Sequence, residues 1–493
     1  MLRKRHIVLV VFLSLVIIGG LTLMIVGLAH YDVNQQAKVF NKDSGYQFDN
    51  LARNGNSDSL FVCLTLSGGG TRAAALAYGV MEELKRTRIV IDGVEKSLLD
   101  EVDCISSISG GSFAAAYYGL FRERMFRDFR ERFLETNIQR GITIRAANPA
   151  NFIRTASPYF SRIDLAAELY DENVFDHKHM SDLQKQGRPY VMINATNLES
   201  GTRFSFLPLY FDAMGSDLES YPVARAVAAS SAFPFLLSPI SLVNYPKSDG
   251  YTTPWWYDGA LESLHVARYR YEAATSLSYY LDKSNKYVHL MDGGLSDNIG
   301  ARSVYDAFVR GFIRERINDG RIKQFVVIIV NAHTQAQENY GKEESPPGLA
   351  TVFSKTATVS MENYSYETVA LMAESLKQRL QAQKDIAACQ NKLKKSCPAA
   401  PAIPAFKKDI DPYVIEVNFA STAGLENEDP NYYLNLPTSF KLDKAQVSRL
   451  IGIGPKLLRA SPQFQCLQHV LAAEATGRSR PPECPLGQGI SGY

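Results

Sequence analysis

The sequence lacks the charge imbalance and the ligand motifs that mark several common classes of protein. Its 53 Lys and Arg residues are nearly balanced by 51 Asp and Glu residues, so no excess of basic residues is available for a nucleic-acid surface. The 6 cysteines do not have zinc-finger spacing, and the Gly-Lys-Ser/Thr string of a P-loop is absent. We therefore expect no nucleic-acid partner, no bound metal and no cofactor.

Charge is also absent from a long stretch near the amino terminus. Ile7 to Ala29 contains no charged side chain, and the positive cluster Arg3-Lys4-Arg5 precedes it. A helix needs about 20 apolar residues to span a bilayer, whereas a cleaved signal peptide has a shorter apolar region of roughly 7–15 residues. We therefore predict a single-pass membrane anchor within residues 1–30, although Gly27-Leu28-Ala29 also fits a signal cleavage site. The positive-inside rule then places the amino terminus in the cytoplasm and the catalytic region outside it.

The cysteines fall into two groups by their surroundings. Cys63 and Cys104 lie inside apolar runs, which predicts buried, unpaired thiols that pack as small hydrophobic side chains. Two close pairs lie in the polar carboxyl-terminal region, Cys389 with Cys397 and Cys466 with Cys484. These pairs are candidates for local disulfides in an oxidising compartment, and the sequence also allows free thiols there.

Two glycine-bearing turns each follow an apolar, strand-like run and open a helix-like run. The first turn, Ser67 to Ala73, follows Leu60 to Leu66, and the second turn, Ser107 to Gly111, follows a short apolar run that begins at Cys104. A strand, a glycine turn and a helix thus occur twice in succession. This repetition predicts α/β units around a largely parallel sheet.

The residues in these turns suit acyl-transfer chemistry. Glycines at the end of a strand can direct backbone N–H groups toward a developing negative charge; the candidate oxyanion donors are Gly68, Gly69, Gly70 and Gly110. Ser109 lies on a turn too tight for large neighbours, as a strand-to-helix nucleophile elbow requires. A third apolar run ends in Asp292 followed by two glycines, so Asp292 is the predicted partner of Ser109.

In order and spacing, these segments resemble the motifs of the patatin-like phospholipases. That family uses a serine–aspartate dyad, a glycine-rich oxyanion loop, a G-x-S-x-G elbow and a D-G-G or D-G-A motif. The resemblance extends to Tyr190–Asn197 and Ala228–Pro234 and covers roughly Leu60 to Ala332. It implies a patatin-like three-layer α/β fold with a mostly parallel central sheet. Arg72, directly after the oxyanion loop, would support that loop or contact a substrate phosphate.

The resemblance implies a lipid acyl hydrolase of the phospholipase A or lysophospholipase type. Its substrate would be a membrane phospholipid or lysophospholipid, cleaved through an acyl-enzyme on Ser109. An acyltransferase would use the same dyad, because the two activities differ only in whether water or an alcohol accepts the acyl group. A membrane-tethered lipid-binding protein without turnover is the non-enzymatic alternative.

The chain departs from the family pattern at a few positions. The elbow begins with Ser107 where the family usually has glycine, and the oxyanion loop begins with Ser67 where it usually has aspartate. Serine is small enough for both turns, so we expect the chemistry to be retained. Asp258 lies in a second D-G-A string and is an alternative acid, but Asn298 follows Asp292 at the spacing of the family motif, which favours Asp292.

Two other enzymatic interpretations compete with the dyad. A Ser–Asp–His triad would require His333, because His289 lies too close to Asp292 in the strand-like run. A dinucleotide site would use Gly68-x-Gly70-x-x-Ala73 and the later Asp92. The second interpretation leaves the Ser109 and Asp292 motifs without a role.

The predicted domain organisation has four parts. Residues 1–30 form the anchor or signal segment, 31–58 a polar stalk, 59–340 the catalytic domain and 341–493 a carboxyl-terminal extension of helices and strands packed on the core. An insertion around 240–288 contains Trp255 and Trp256, which either form a lipid-contacting aromatic rim or fill a small satellite core. In the extension, a helix from Asp443 to Ile451 is expected to stop at Gly452 and Pro455.

Overall fold

The structure is a computed structural model that describes residues 10–21, 34–155, 157, 160–234, 236–335, 340–342, 344–401, 409–479 and 484. Residues 10–21 form an exposed helix, α1. The remainder of the predicted anchor, Ile7 to Ala29, lies outside the described residues. Within the described ranges, no helix combines the length and the apolar character that crossing a membrane requires.

Strands and helices alternate along much of the chain. The strands are β1 (Gln35–Gln36), β2 (Leu60–Leu66), β3 (Arg88–Ile91), β4 (Val94–Ser97), β5 (Val102–Ile108), β6 (Tyr190–Asn197), β7 (Arg203–Ser205), β8 (Ser216–Asp217), β9 (Ile240–Val243), β10 (Tyr287–Asp292), β11 (Gln324–Asn331) and β12 (Asp411–Asn418). The helices that follow α1 are α2 (Gly70–Arg86), α3 (Gly110–Phe121), α4 (Met125–Phe129), α5 (Ile138–Ala147), α6 (Pro149–Arg154), α7 (Arg162–Tyr170), α8 (Met180–Gln186), α9 (Pro208–Ala213), α10 (Val223–Ser230), α11 (Asp258–Leu261), α12 (Arg268–Leu281), α13 (Gly294–Asp297), α14 (Ala301–Arg310), α15 (Phe312–Asn318), α16 (Leu349–Ser396), α17 (Pro430–Leu434), α18 (Lys444–Ala460) and α19 (Pro462–Thr476).

An eight-stranded sheet forms the centre of the molecule. Its strand order is β12-β11-β2-β5-β6-β10-β9, and β7 pairs with β6 outside this path. The strands from β12 to β6 run parallel, whereas β7, β9 and β10 join the sheet antiparallel. Every residue of β2, β5, β6 and β11 is buried, as expected for parallel strands covered on both faces. This confirms the predicted α/β fold with a mostly parallel central sheet.

The sheet order brings distant parts of the sequence together at one edge. Leu66 at the end of β2 lies opposite Ser107 of β5, and Ile108 lies opposite Asn194 of β6. The antiparallel strand β10 then places Asp292 opposite Ala195. The glycine turn after β2, the turn after β5 and the end of β10 therefore meet.

The cysteine pairing differs from the prediction in the central sheet, whereas both alternatives left open for the carboxyl-terminal region occur. Cys63 and Cys104, predicted as unpaired thiols, form a disulfide with Cα atoms 4.6 Å apart, because β2 and β5 place them directly opposite each other. The structure also contains the candidate disulfide Cys466–Cys484. Cys389 and Cys397 are exposed free thiols. Eight residues of helix separate them by about 12 Å, which is beyond the reach of a disulfide.

Helix α18 continues past its predicted end. It runs to Ala460 with Pro455 inside it, although Pro455 has no N–H to donate to the carbonyl of Ile451. Helix α2 packs closely at this point, since a methyl group at Gly79 would lie 2.2 Å from that carbonyl oxygen. Tertiary contact with α2 therefore covers the break, and no pattern within α18 indicates that contact.

The segment predicted as a polar stalk lies against the domain from residue 34 onward. Tyr46, Phe48 and Leu51 are buried. The Tyr46 hydroxyl donates to the carbonyl of Val191 at 3.1 Å and accepts from the N–H of the same residue at 2.8 Å. Apolar and aromatic residues between the polar ones, Tyr46 among them, therefore hold this segment against β6.

The predicted insertion and the carboxyl-terminal region both contribute to the central sheet. Within 240–288, β9 pairs with β10. After residue 340, β12 pairs with β11 along its whole length, α18 packs on α2, and α16 packs on α13 and α14. Helix α16 also brings Met361 close to Gly294, where an added methyl group would lie 3.2 Å from its Cε atom.

Candidate active site

Ser109 lies on a sharp turn between β5 and α3. Its backbone angles are φ +48° and ψ −118°, which a residue with a side chain adopts only when its surroundings impose them. A methyl group at Gly110 would lie 2.0 Å from the carbonyl oxygen of Gly70, and one at Gly111 would lie 2.5 Å from that of Leu66. The N–H of Ser109 donates to Ser230 Oγ at 2.8 Å. The turn therefore has the backbone shape of a nucleophile elbow.

Asp292 lies beside Ser109 at the end of β10. Its side chain is buried, and burial raises its pKa to about 7, while hydrogen bonds from the Gly294 N–H and the Ser109 hydroxyl lower it. The Gly294 N–H donates to Asp292 Oδ1 at 2.8 Å. The Asp292 backbone is held as well, because its N–H donates to the carbonyl of Ala232 at 3.1 Å. The structure thus brings together the two residues predicted as nucleophile and base.

The alternative acid and the two candidate histidines have surroundings unlike those of Asp292. Asp258 is exposed at the first residue of α11. His289 is on the exposed side of β10, where its Nδ1 atom lies 2.8 Å from Ser241 Oγ. The backbone N–H of His333 donates to Asn331 Oδ1 at 3.1 Å. Because the side chain of Ser109 acts on the buried carboxylate of Asp292, the structure favours a two-residue arrangement over a triad.

The dinucleotide interpretation fails on topology. It requires the strand before Asp92 to stand beside β2 in the parallel sheet. That strand, β3, instead pairs antiparallel with β4 in a separate two-stranded sheet. Asp92 accepts a hydrogen bond from Ser57 Oγ at 2.6 Å.

The oxyanion loop has some of its N–H groups occupied and others open. The N–H of Gly68 donates to the carbonyl of Asn298 at 2.9 Å, and the N–H of Thr71 donates to that of Ser439 at 2.9 Å. For Gly69, Gly70 and Gly110, the described part of the chain supplies no backbone acceptor. Of the predicted donors, Gly68 is therefore occupied within the protein, and the other three are available to a substrate oxygen.

Arg72 is buried beneath the oxyanion loop. Its Nε donates to the carbonyl of Ala332 at 3.0 Å, its Nη1 to the carbonyl of Leu436 at 2.6 Å and its Nη2 to Thr438 Oγ1 at 3.2 Å. Burial lowers its pKa to about 10. A methyl group at Gly69 would lie 3.0 Å from Nη2, so the guanidinium packs directly against the loop. These contacts favour support of the loop over contact with phosphate.

Replacing Arg72 with lysine is expected to destabilise the protein and misplace the loop. A lysine cannot reproduce three donors in a planar fork, and each buried carbonyl left without a donor costs about 1–3 kcal/mol. Thermal unfolding and acyl release should both decline, whereas Arg86→Lys, on the exposed part of the same helix, should change neither. A higher KM with an unchanged melting temperature would instead indicate a phosphate contact.

The two serines that depart from the family pattern are hydrogen bonded within the site. Ser67 Oγ accepts from the N–H of Ala332 at 2.9 Å. Ser107 Oγ accepts from Ser112 Oγ at 3.1 Å and donates to the carbonyl of Met192 at 3.3 Å. The hydroxyl groups of Ser67 and Ser107 therefore connect the two turns to neighbouring strands and helices.

Several residues position the site through backbone hydrogen bonds, a role that the sequence analysis did not assign to them. Ser230 holds the backbone of Ser109, and its own carbonyl accepts from the N–H of Gly293 at 3.1 Å. Asn298 holds Gly68, and Ser439 holds Thr71. Ser230 and Asn298 lie in segments that the family resemblance had marked. Ser439 lies in a polar loop with no local signal, and only the tertiary fold reveals its role.

The site was also compared with known proteins. Residues 64–305 match the family model for patatin-like phospholipase, and this range contains Ser109, Asp292 and the oxyanion loop. Residues 64–305 form a patatin-like phospholipase domain. This domain places the chain, at the level of the family, among the lipid hydrolases. A comparison with curated protein sequences gives no significant match.

Two solved structures are similar to the patatin-like chain at low identity. Human GIVD cytosolic phospholipase A2 is 12% identical with a TM-score of 0.44, over 91% of this chain and 69% of that chain. VipD from Legionella pneumophila is 11% identical with a TM-score of 0.25, over 86% of this chain and 71% of that chain. Among the residues described for the patatin-like chain, no group of His, Cys, Asp and Glu could hold a metal ion.

Proposed function

We propose that the protein is a lipid acyl hydrolase of the phospholipase A or lysophospholipase type, with Ser109 as nucleophile and Asp292 as base. The observation that carries this proposal is the proximity of the Ser109 side chain to the buried carboxylate of Asp292, whose pKa it lowers. The elbow backbone of Ser109 supports it, because that conformation presents the side chain at the carboxyl end of the sheet. The substrate is a phospholipid or lysophospholipid ester.

In the proposed mechanism, Ser109 Oγ attacks the ester carbonyl carbon and its proton passes to Asp292. The N–H groups of Gly69, Gly70 and Gly110 donate to the resulting oxyanion; comparable donors are worth about 2.7–4 kcal/mol each in serine hydrolases. The ester C–O bond then breaks, and Asp292 returns the proton to the leaving alkoxide. Water, deprotonated by Asp292, attacks the acyl-enzyme and releases the fatty acid and Ser109.

Acyl release should depend on pH through the ionisation of Asp292. The base must be deprotonated to accept the Ser109 proton, and burial raises its pKa to about 7. We therefore expect kcat/KM to rise with pH through about 7 and then to level off, measured with a substrate that does not itself titrate in this range. A profile already level at about pH 5 would mean that the base has an ordinary carboxyl pKa.

The test is acyl release from vesicles of mixed phospholipids and lysophospholipids by the purified full chain, with Ser109→Ala as the blank. In heavy-oxygen water, the released fatty acid should carry a labelled oxygen, because water accepts the acyl group. Acyl chains that appear on an added alcohol would support the acyltransferase instead. Absence of both products would support a lipid-binding protein without turnover.

A membrane anchor over the uncharged run from Ile7 to Ala29 would place this site beside its substrate. The charge pattern supports this part of the proposal, and so does the chemistry, because phospholipid esters are concentrated at the bilayer surface. The catalytic region would then lie on the extracytoplasmic side.

A further inference from the structure

A cavity of about 690 Å³ lies where β6 begins. Tyr190, the first residue of β6, lines it, together with residues of the amino-terminal segment, α9, α14 and the loop before α11. Neither Ser109 nor Asp292 is among its lining residues. The volume is within the range of about 300–1,000 Å³ that small-molecule sites occupy. The cavity is therefore separate from the proposed active site.

Aromatic side chains dominate the wall of this cavity. They are Phe40, Phe48, Tyr190, Tyr210, Tyr251, Trp255, Trp256 and Phe312. Trp255 is 76% exposed, as a residue of an aromatic rim would be, whereas Trp256 is 8% exposed, as a residue of a packed core would be. The ring of Tyr251 meets that of Phe40 edge-on, with centroids 5.2 Å apart.

Most ionic groups inside the cavity are already paired. Asp306 forms ion pairs with both Arg203 and Arg310, and the Arg310 guanidinium lies 4.9 Å from the ring centroid of Trp256. Asp49 Oδ1 lies 2.5 Å from Nη2 of Arg316. These paired groups stabilise the wall, and Lys42 and Glu315 also line the cavity.

Asp212 is the acidic residue of the wall with the strongest sign of burial. It lies in α9 and lines the cavity, and its carboxylate has no hydrogen-bond or ion-pair partner among the residues that the structure describes. Burial alone raises its pKa to about 7, with no compensation from a nearby cation. Burial and then the charge of Asp212 raise the pKa of Tyr251, and both residues line the same cavity. A desolvated carboxylate is costly unless a cation or a donor pairs with it.

We propose that this cavity binds an organic cation of the quaternary or alkyl ammonium class, with its nitrogen at Asp212 and its alkyl groups against the rings of Tyr251 and Trp255. Aromatic rings attract such cations through their negative faces, and a carboxylate adds the matching charge. The same ammonium chemistry occurs in soluble amines and in phospholipid headgroups. The site goes beyond the proposed hydrolysis, because no step of that reaction uses it.

Tryptophan fluorescence gives a direct test, because Trp255 and Trp256 are the only 2 tryptophans of the chain and both line the cavity. The full chain with Ser109→Ala, which cannot consume lipid, is titrated with choline and with dimethylbutanol, its neutral carbon isostere. Choline should change the emission in a saturable manner and bind about tenfold or more tightly than the isostere. Equal responses to both would overturn the proposal.

The role of Asp212 is tested with a matched pair of variants in the same background. Asp212→Asn should weaken choline binding about tenfold or more, whereas Asp258→Asn, which removes an exposed carboxylate outside the cavity, should leave it unchanged. Equal affinity in the two variants would overturn the assignment of Asp212. The comparison of choline with its isostere does not depend on the folding of either variant.

Vesicles distinguish the two sources of the cation. A response to phosphatidylcholine vesicles that choline competes away, with none to phosphatidylglycerol vesicles, would identify a lipid headgroup. A response to choline without one to vesicles would identify a soluble amine. The proposal is wrong if neither probe gives a saturable response. Because Ser109 is absent from these measurements, their outcome is independent of the proposed hydrolysis.

Discussion

Replacing Ser109 with alanine is expected to lower kcat for acyl release by at least about 10,000-fold, as for other serine hydrolases that lose their nucleophile. Alanine retains the elbow but cannot form the acyl-enzyme, so only the oxyanion donors and substrate binding remain. The measurement is fatty-acid release from vesicles under single-turnover conditions. A fluorophosphonate probe, which reacts with activated serines, should label the wild type and leave the variant unlabelled.

Ser241→Ala is the matched control for this substitution. Ser241 is an exposed serine of β9 in the same sheet, and its loss should leave both acyl release and probe labelling unchanged. Both variants should unfold near the wild-type temperature, because the Ser109 backbone N–H still donates to Ser230 Oγ in Ser109→Ala. If Ser109→Ala retained more than about a tenth of the activity, another nucleophile would be required.

Replacing Asp292 with asparagine is expected to lower kcat by about 1,000-fold, within the range for loss of a general base. Asparagine preserves the shape of the side chain but cannot accept the Ser109 proton. The matched control is Asp258→Asn, which changes the other D-G-A aspartate at an exposed position and should retain nearly full activity. If Asp258→Asn lost activity and Asp292→Asn kept it, Asp258 would be the catalytic base.

Asp292→Asn, although it lowers activity, is expected to maintain or increase the stability of the fold. The folded-state pKa of Asp292, about 7, lies above the unfolded value of about 3.9, so the protonated form is the one that folding favours. The stabilising contribution of this group is present at low pH and is lost as pH rises through about 7. At higher pH, Asp292→Asn should therefore unfold at the same or a higher temperature than the wild type. A lower melting temperature there would mean that the carboxylate is structural.

The carboxyl-terminal region has a direct part in shaping the site. The carbonyl of Ser439 accepts from the N–H of Thr71 at 2.9 Å, and the carbonyl of Leu436 accepts from Arg72 at 2.6 Å. A methyl group at Gly70 would lie 2.4 Å from the same Ser439 carbonyl oxygen. The conformation of the oxyanion loop therefore depends on residues far beyond the matched range 64–305.

Local patterns in the sequence were sufficient for the core elements and for the choice of candidate residues. The apolar run Leu60–Leu66 is β2 with the predicted bounds, and the glycine turn after it opens α2. The turn at Ser109 was also recognised from its local pattern of small residues and glycines. These features depend on residues adjacent in the chain, so the amino-acid pattern determines them.

Tertiary structure alone decided which distant residues meet. The register of β2 and β5 pairs Cys63 with Cys104, and the contact with α2 lets α18 continue through Pro455. Because β10 pairs antiparallel with β6, Asp292 lies beside Ser109, and Asp258 does not. In each case, the deciding contact joins segments far apart in the chain. Periodicity and composition describe each segment alone, whereas register, burial and pKa arise only when the segments pack together.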